Sequence, residues 1–257
     1  MSTKPKSEPA IPVLPNGEAE TRPCWSCGDM RAAYFCSSCG KVQPPAPTDF
    51  FSFFGLPRKL NLDPAELEQE MFALSRRLHP DLYARATHEE QDWSLQQTSK
   101  LNDAYRTLRD PILRTEYLLR LEGVKSGQQS KQATELARAT GSKKQAVPPG
   151  LLEEVFELNL QLEEFRASRG SGADPAGLRQ ELELARKALK AKMEALAGEL
   201  QACWQQWDSI IVRETAGEAA ADDPDLRRRI LEQIVDVLNR RRYLDNLVRE
   251  ISTALSE

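Results

Sequence analysis

Four cysteines stand in two short steps, Cys24-Trp25-Ser26-Cys27 and, eight residues on, Cys36-Ser37-Ser38-Cys39. Four thiolates delivered by two turns suit tetrahedral zinc, at about 2.3 Å per Zn–S bond. Gly28 and Gly40 directly follow the two steps, where the chain must turn back with its amides toward sulfur. All four positions are cysteine, so the expectation is a closed structural site, not a catalytic one with an open position. A module this small buries too little to fold alone, and structural zinc supplies about 10–16 kcal/mol. Iron on four thiolates, or a redox dithiol pair, would use the same residues; zinc is what the spacing favours. Cys203, the fifth cysteine, falls on a helical apolar stripe and reads as buried and inert.

The second group is His79-Pro80-Asp81, flanked by helical patterns. Asp63 can cap the first helix and Pro64 suits its first position. Leu67, Met71, Leu74 and Leu78 then line one face, and the residue before Pro80 resists the helical region. Arg76 and Arg77 give the end of this helix a basic pair, suited either to steering onto an acidic partner or simply to solvation. A second helix is predicted from about Glu89 to Arg109, with Leu101, Tyr105 and Leu108 on one face, ended by Asp110-Pro111. A short helix over ILRTEYLLRLEG follows, to Gly123.

Residues 125–146 are polar and weakly periodic and read as a loose connection. Three longer helices follow, at about 150–168, 176–214 and 223–256, with Gly170 to Pro175 breaking the first from the second. The middle one carries Leu182, Ala185, Leu189, Leu196, Leu200, Cys203, Trp207 and Ile210 as its stripe; Trp204 lies off it. The last carries Leu226, Ile230, Val237, Leu244, Val248, Ile251 and Leu255. Each has one apolar face to bury, so packing as an antiparallel bundle is expected. The first of the three is different. At roughly 100° per residue, Leu151, Val155, Leu158, Leu162 and Phe165 form a core face, while Leu152, Phe156 and Leu160 form a second apolar line rimmed by Glu153, Glu157, Glu163 and Glu164. A bundle helix needs one stripe. The second is either a docking surface or a face that packs under the 125–146 connection.

Composition bounds the function. The chain has 257 residues, 40% apolar and 29% charged, with a formal net charge of −4. That balance fits a globular protein and opposes nucleic-acid binding, which needs a basic surplus. No apolar run approaches the roughly 20 residues of a membrane span. The start lacks an apolar or arginine-rich leader, so a bacterial cytoplasmic location is expected, or a mitochondrial one if the source is eukaryotic. No glycine-rich phosphate loop, paired carboxylates or Ser/His/Asp arrangement is visible, and no catalysis by the chain itself is expected. The expected organisation is a disordered tail over 1–21, the cysteine module over 22–43, a stiff PPAPT linker over 44–48 that keeps two cores apart, a helical hairpin domain over 49–122, a connection over 123–148 and a helical bundle over 149–257.

The helix, His79-Pro80-Asp81 and longer helix reading KLNDAYRTLRDP resemble the J-domain of DnaJ-like proteins. DFFSFFGLP (49–57) and RTEYLL (114–119) resemble the HscB branch of that family, as LLEEVFELNLQLEEF (151–165) and RRRYLDNL (240–247) resemble its C-terminal bundle. With the cysteines in front, the layout is similar to the longer HscB proteins that carry a zinc module. The resemblance implies an all-α fold, a J-domain hairpin and a C-terminal antiparallel bundle behind a small zinc-ribbon-like module. It implies a co-chaperone that binds an iron–sulfur cluster scaffold protein, delivers it to a DnaK/HscA-class ATPase chaperone and stimulates ATP hydrolysis there. His79, Pro80 and Asp81, helped by Arg76 and Arg77, would touch the chaperone. Leu152, Phe156, Glu157, Glu164 and Tyr243 would hold the scaffold; Leu160 joins them from the outward stripe, although the family carries a carboxylate there. Where many J-domains place basic residues, this chain has Glu70, Phe72, Ala73 and, after the tripeptide, Leu82. A general J-protein, or a cysteine-based redox or iron-handling protein, remains the alternative.

Overall fold

The computed structural model describes residues 23–29, 34–36, 38–124, 152–171, 176–217 and 223–256. The expected tail over 1–21 and nearly all of the 123–148 connection lie outside them. Helices carry most of the described residues; the cysteine module is built from short turns, with an antiparallel bridge between Phe35 and Val42. Compactness divides the chain in two: Met1–Leu118 with Trp207–Asp222, and Leu119–Gln206 with Asp223–Glu257.

In the first unit, α1 (Phe50–Phe53) is a single turn capped by Asp49, whose carboxylate accepts the Ser52 N–H at 2.9 Å. Phe51, Phe53 and Phe54 are buried. The first part of α4 (Pro111–Leu121) covers this turn: Tyr117 stacks on Phe50 with centroids 4.5 Å apart, and the Phe50 N–H donates to its hydroxyl at 2.9 Å. The two motifs DFFSFFGLP and RTEYLL are thus two halves of one contact. The hairpin is α2 (Pro64–Leu78) against α3 (His88–Arg109). Asp63 caps α2 and Thr87 caps α3 in a reciprocal box with Glu90, both from the residue types that helix starts prefer. Leu67, Leu74 and Leu78 of α2 are buried, with Leu101, Ala104 and Leu108 of α3. Tyr105 departs from the expected face: it is half-buried, the Arg109 guanidinium lies 5.9 Å from its ring, and the small Ala104 takes the inward place.

The end of α6 (Ala176–Thr215) belongs to this unit too. The Trp207 indole donates to the Arg58 carbonyl at 2.8 Å. The Asp208 carboxylate accepts the N–H groups of Leu60 at 2.6 Å and Asn61 at 2.9 Å.

The second unit holds α5 (Leu152–Ser171), most of α6 and α7 (Pro224–Ser256). Arg179 donates to the Leu255 carbonyl at 3.0 Å and Arg240 to Glu199 at 2.7 Å. Low numbers on one helix meet high numbers on the other, so α6 and α7 run antiparallel. The buried residues follow the expected stripes: Leu182, Leu189, Leu196, Leu200 and Cys203 on α6, and Ile230, Val237, Leu244, Ile251 and Leu255 on α7. Trp204 is buried as well. The α5 helix packs against α7 through its core face, where Leu158, Leu162 and Phe165 are buried. Among the described residues no helix is long and apolar enough to cross a membrane.

Candidate functional site

Three places carry the predicted residues: the cysteine cluster and the His79 turn in the first unit, and a face of α5 in the second.

The two cysteine steps fold alike. Gly28 N–H donates to the Cys24 carbonyl at 2.9 Å and Gly40 N–H to that of Cys36 at 2.8 Å. Both glycines have positive φ, 76° and 70°, which side chains rarely adopt. Sulfur atoms pair at 3.6 Å, Cys24 with Cys39 and Cys27 with Cys36, and all four lie within 4.8 Å of one another. A tetrahedron with bonds of about 2.3 Å has edges of roughly 3.8 Å, so this cluster fits a metal ion. Each pair carries one favoured thiolate. Desolvation opposes ionisation of Cys24, but N–H groups of Cys27 and Ser26 and the Gln43 amide outweigh it and lower its pKa to about 6. The Cys39 N–H lowers Cys36 despite desolvation. Their partners, Cys39 and Cys27, are raised beside those thiolates, against the N–H groups of Lys41 and Asp29. A cation among the four sulfurs favours the thiolate form of all of them.

The module is not separate from the hairpin. Gln97 on α3 is buried and donates to the Gln43 carbonyl at 2.7 Å, while Gln43 donates to the Cys24 sulfur at 3.3 Å. Lys41 reaches buried Glu90 at 2.9 Å, and Trp25 meets Trp93 edge to face with centroids 5.5 Å apart. The Tyr34 hydroxyl donates to the Phe53 carbonyl at 2.7 Å. The sequence expectation of two cores kept apart by PPAPT is therefore corrected. Polar side chains on α3, invisible to an apolar pattern, join them.

His79 closes α2 and Pro80–Tyr83 forms one 3₁₀ turn. Pro80 has no N–H, and the Leu78 carbonyl is one of the orphans of a helix end. It accepts instead from the hydroxyls of Ser94 at 2.6 Å and Thr98 at 3.0 Å, both on α3. The Tyr83 hydroxyl donates to the Arg77 carbonyl at 3.0 Å. Within this frame the turn stays open to solvent: His79 is exposed, Asp81 nearly fully so, and the Asp81 N–H donates to His79 Nδ1 at 3.3 Å. Arg76 and Arg77 are exposed, but they differ. Arg76 Nε donates to the Phe72 carbonyl at 3.3 Å, whereas the Arg77 guanidinium lies over Phe35 of the cysteine module.

On α5, Phe156 is 65% and Leu160 46% exposed, with Glu157 and Glu164 exposed beside them. The side chain of Leu152 lies outside the described residues. Tyr243 on α7 is half-buried, and desolvation, then Glu250, raises its pKa.

Comparison with known proteins places this architecture. A scan against protein-family models gave no match. The HscB homolog of Bordetella pertussis, named a co-chaperone protein, is 34% identical over 183 residues, 70% of this chain and 98% of that protein. The chain belongs to the HscB co-chaperone family. The HscB homolog of Arabidopsis thaliana, an iron–sulfur cluster co-chaperone by name, is 38% identical over 102 residues. That of Mus musculus is 37% identical over 114. The chain spans under half the length of these two, 40% and 49%. The crystal structure of human HscB aligns with a TM-score of 0.59 at 24% identity, over 90% of this chain and 98% of that one, a likeness of fold. Vibrio cholerae HscB aligns with a TM-score of 0.52 at 26% identity, over 80% and 96%.

Sequence reasoning missed Ser94, Thr98, Glu90 and Gln97, which hold the sites in place. Their one signal was polar residues falling on otherwise inward helical positions.

Proposed function

We propose that this HscB protein is an adaptor: it binds an iron–sulfur cluster scaffold protein, brings it to a DnaK/HscA-class ATPase chaperone and stimulates ATP hydrolysis there. The observation that carries the reading is the His79-Pro80-Asp81 turn, held open to solvent while Ser94 and Thr98 fix the helix end beneath it. Such a turn can touch a partner without reorganising, which lowers the cost of association. His79, Pro80 and Asp81 meet the chaperone, with Arg76 beside them; Arg77 contributes through the cysteine module that it covers. Phe156, Leu160, Glu157 and Glu164, with Leu152 and Tyr243, form the scaffold face. In this reading the catalysis belongs to the partner, and zinc on Cys24, Cys27, Cys36 and Cys39 is structural.

Purified full-length protein is to be added to the ATPase chaperone of the same organism, and steady-state hydrolysis followed. Wild type should stimulate, and His79→Gln should not, with an unchanged helical signal. Full stimulation by His79→Gln would sink the reading. Metal analysis of freshly purified protein should return one zinc per chain; iron, or no metal, would overturn the zinc assignment.

A further inference from the structure

The surface that bears the turn carries a second feature. Phe72, Arg76, His79 and Leu82 follow one another at spacings of four, three and three. The first two steps stay on one face of α2. The third leaves α2 at His79, whose ψ is 128°, and enters the 3₁₀ turn, where the Leu82 N–H donates to the His79 carbonyl at 3.0 Å. Phe72 is 54% and Leu82 64% exposed. Their neighbours are turned inward or tied down: Leu74 and Leu78 are buried, and Tyr83 folds back onto the end of α2. A lone exposed apolar side chain needs no explanation. Here two of them lie on either side of His79, one on α2 and one in the turn.

The turn and the end of α2 carry a small net positive charge and so give only modest steering. Arg76 lies along α2 with its Nε on the Phe72 carbonyl, Asp81 offsets one positive charge, and Arg77, its guanidinium over Phe35, stays exposed and charged, as does Arg85 after the turn. Attraction between a weakly charged surface and a partner is short-ranged and screened by salt. Apolar contact is what remains to supply affinity, and salt does not screen it.

We infer that Phe72 and Leu82 are specificity residues, which select an ATPase chaperone that meets the turn with an apolar surface and not with an acidic patch. The inference rests on the ATPase-stimulating reading above. Hydrolysis by the chaperone of the same organism is measured against the concentration of full-length protein, at low and at high salt. Phe72→Ser combined with Leu82→Ser should raise the half-maximal concentration on the order of tenfold, with maximal stimulation and thermal midpoint unchanged. Wild type should keep its half-maximal concentration within about twofold between the two salts. Phe72→Lys and Leu82→Lys, tested singly, should also weaken binding at low salt.

His79→Gln in the same assay separates the two levels. If it fails to stimulate while the double serine variant keeps the wild-type half-maximal concentration, the inference is overturned and the co-chaperone reading stands. If His79→Gln stimulates fully, both fall. Tighter binding by either lysine variant, or a steep salt dependence of the wild type, points to an acidic partner surface and overturns the inference.

Discussion

The Arg77 guanidinium lies 4.1 Å from the centre of the Phe35 ring. Arg77 belongs to the last turn of α2, two residues before His79, and Phe35 immediately precedes Cys36 of the cysteine cluster. Cation–π contact of this kind contributes about 0.5–1 kcal/mol at an exposed site. It joins the Gln43–Gln97 bond, the Lys41–Glu90 pair and the Trp25–Trp93 contact. The cysteine module therefore forms one side of the hairpin core.

Stripping the metal should be felt in the helices. Without a cation the four sulfurs have no common partner, and the two turns that they pin lose the binding energy that holds them. A chelator strong enough to free all four thiols should lower the thermal midpoint of the α2–α3 hairpin and red-shift the emission of Trp25 and Trp93. Restoring zinc should reverse both changes. An unchanged midpoint with four titratable thiols would show that the hairpin is indifferent to the module.

Glu90 gives this junction a pH dependence. It is 2% exposed, and its pKa is lowered, first by the hydrogen bond from Lys41, against desolvation, and further by Thr87. A carboxylate lowered in the folded state stabilises it at pH above the ordinary carboxylate range, and that contribution is lost as pH falls through the folded value. Glu90→Gln keeps a capping-box residue but loses the charge opposite Lys41. It should cost about 1–3 kcal/mol at neutral pH and show a shallower fall in stability on acidification. Protonation of the cysteines is common to both proteins, so the difference between their urea midpoints across pH isolates Glu90. Parallel curves would refute the assignment.

The helices were legible because burial leaves an apolar period. Leu67, Leu74 and Leu78, and the stripes through Leu182 and Ile230, all fall where the period puts them. The cysteine cluster was legible because metal ligands declare themselves by type and spacing. The inner polar residues were not. Ser94 is fully buried, yet a serine on a helix reads as solvated until the Leu78 carbonyl that it satisfies is in place.

Asp208 accepts two backbone N–H groups through its two oxygens, and the loop that it holds contains fully buried Leu60. Both donors lie over a hundred positions earlier in the chain, which is why sequence pattern gave no hint of them. Asp208→Ala should leave both N–H groups without this acceptor and lower the stability of the first unit by about 1–3 kcal/mol. Chemical denaturation followed by the fluorescence of Trp207, whose indole is held by the same loop, reads the effect. No change would mean that water replaces the carboxylate without loss.

On the proposed reading the α5 face takes part in binding and not in folding. Phe156 and Leu160 lie one turn apart and exposed, while Leu158 and Leu162, on the other side of the same helix, are buried. Covering an apolar side chain contributes about 1.5–3 kcal/mol, against an association cost of at least about 4 kcal/mol. If this face docks the scaffold as proposed, two such residues, with help from Tyr243 and the rim of Glu157 and Glu164, would give a modest affinity that allows release. Phe156→Ala with Leu160→Ala should therefore weaken binding of the cluster scaffold strongly, measured by calorimetry with the scaffold of the same organism. The double variant should leave the thermal midpoint and ATPase stimulation near wild type, since its side chains are already in water. Leu162→Ala should do the reverse, costing about 2–5 kcal/mol of stability. If the Phe156 and Leu160 variant melts early and still binds the scaffold, this face packs within the protein, and the scaffold docks elsewhere.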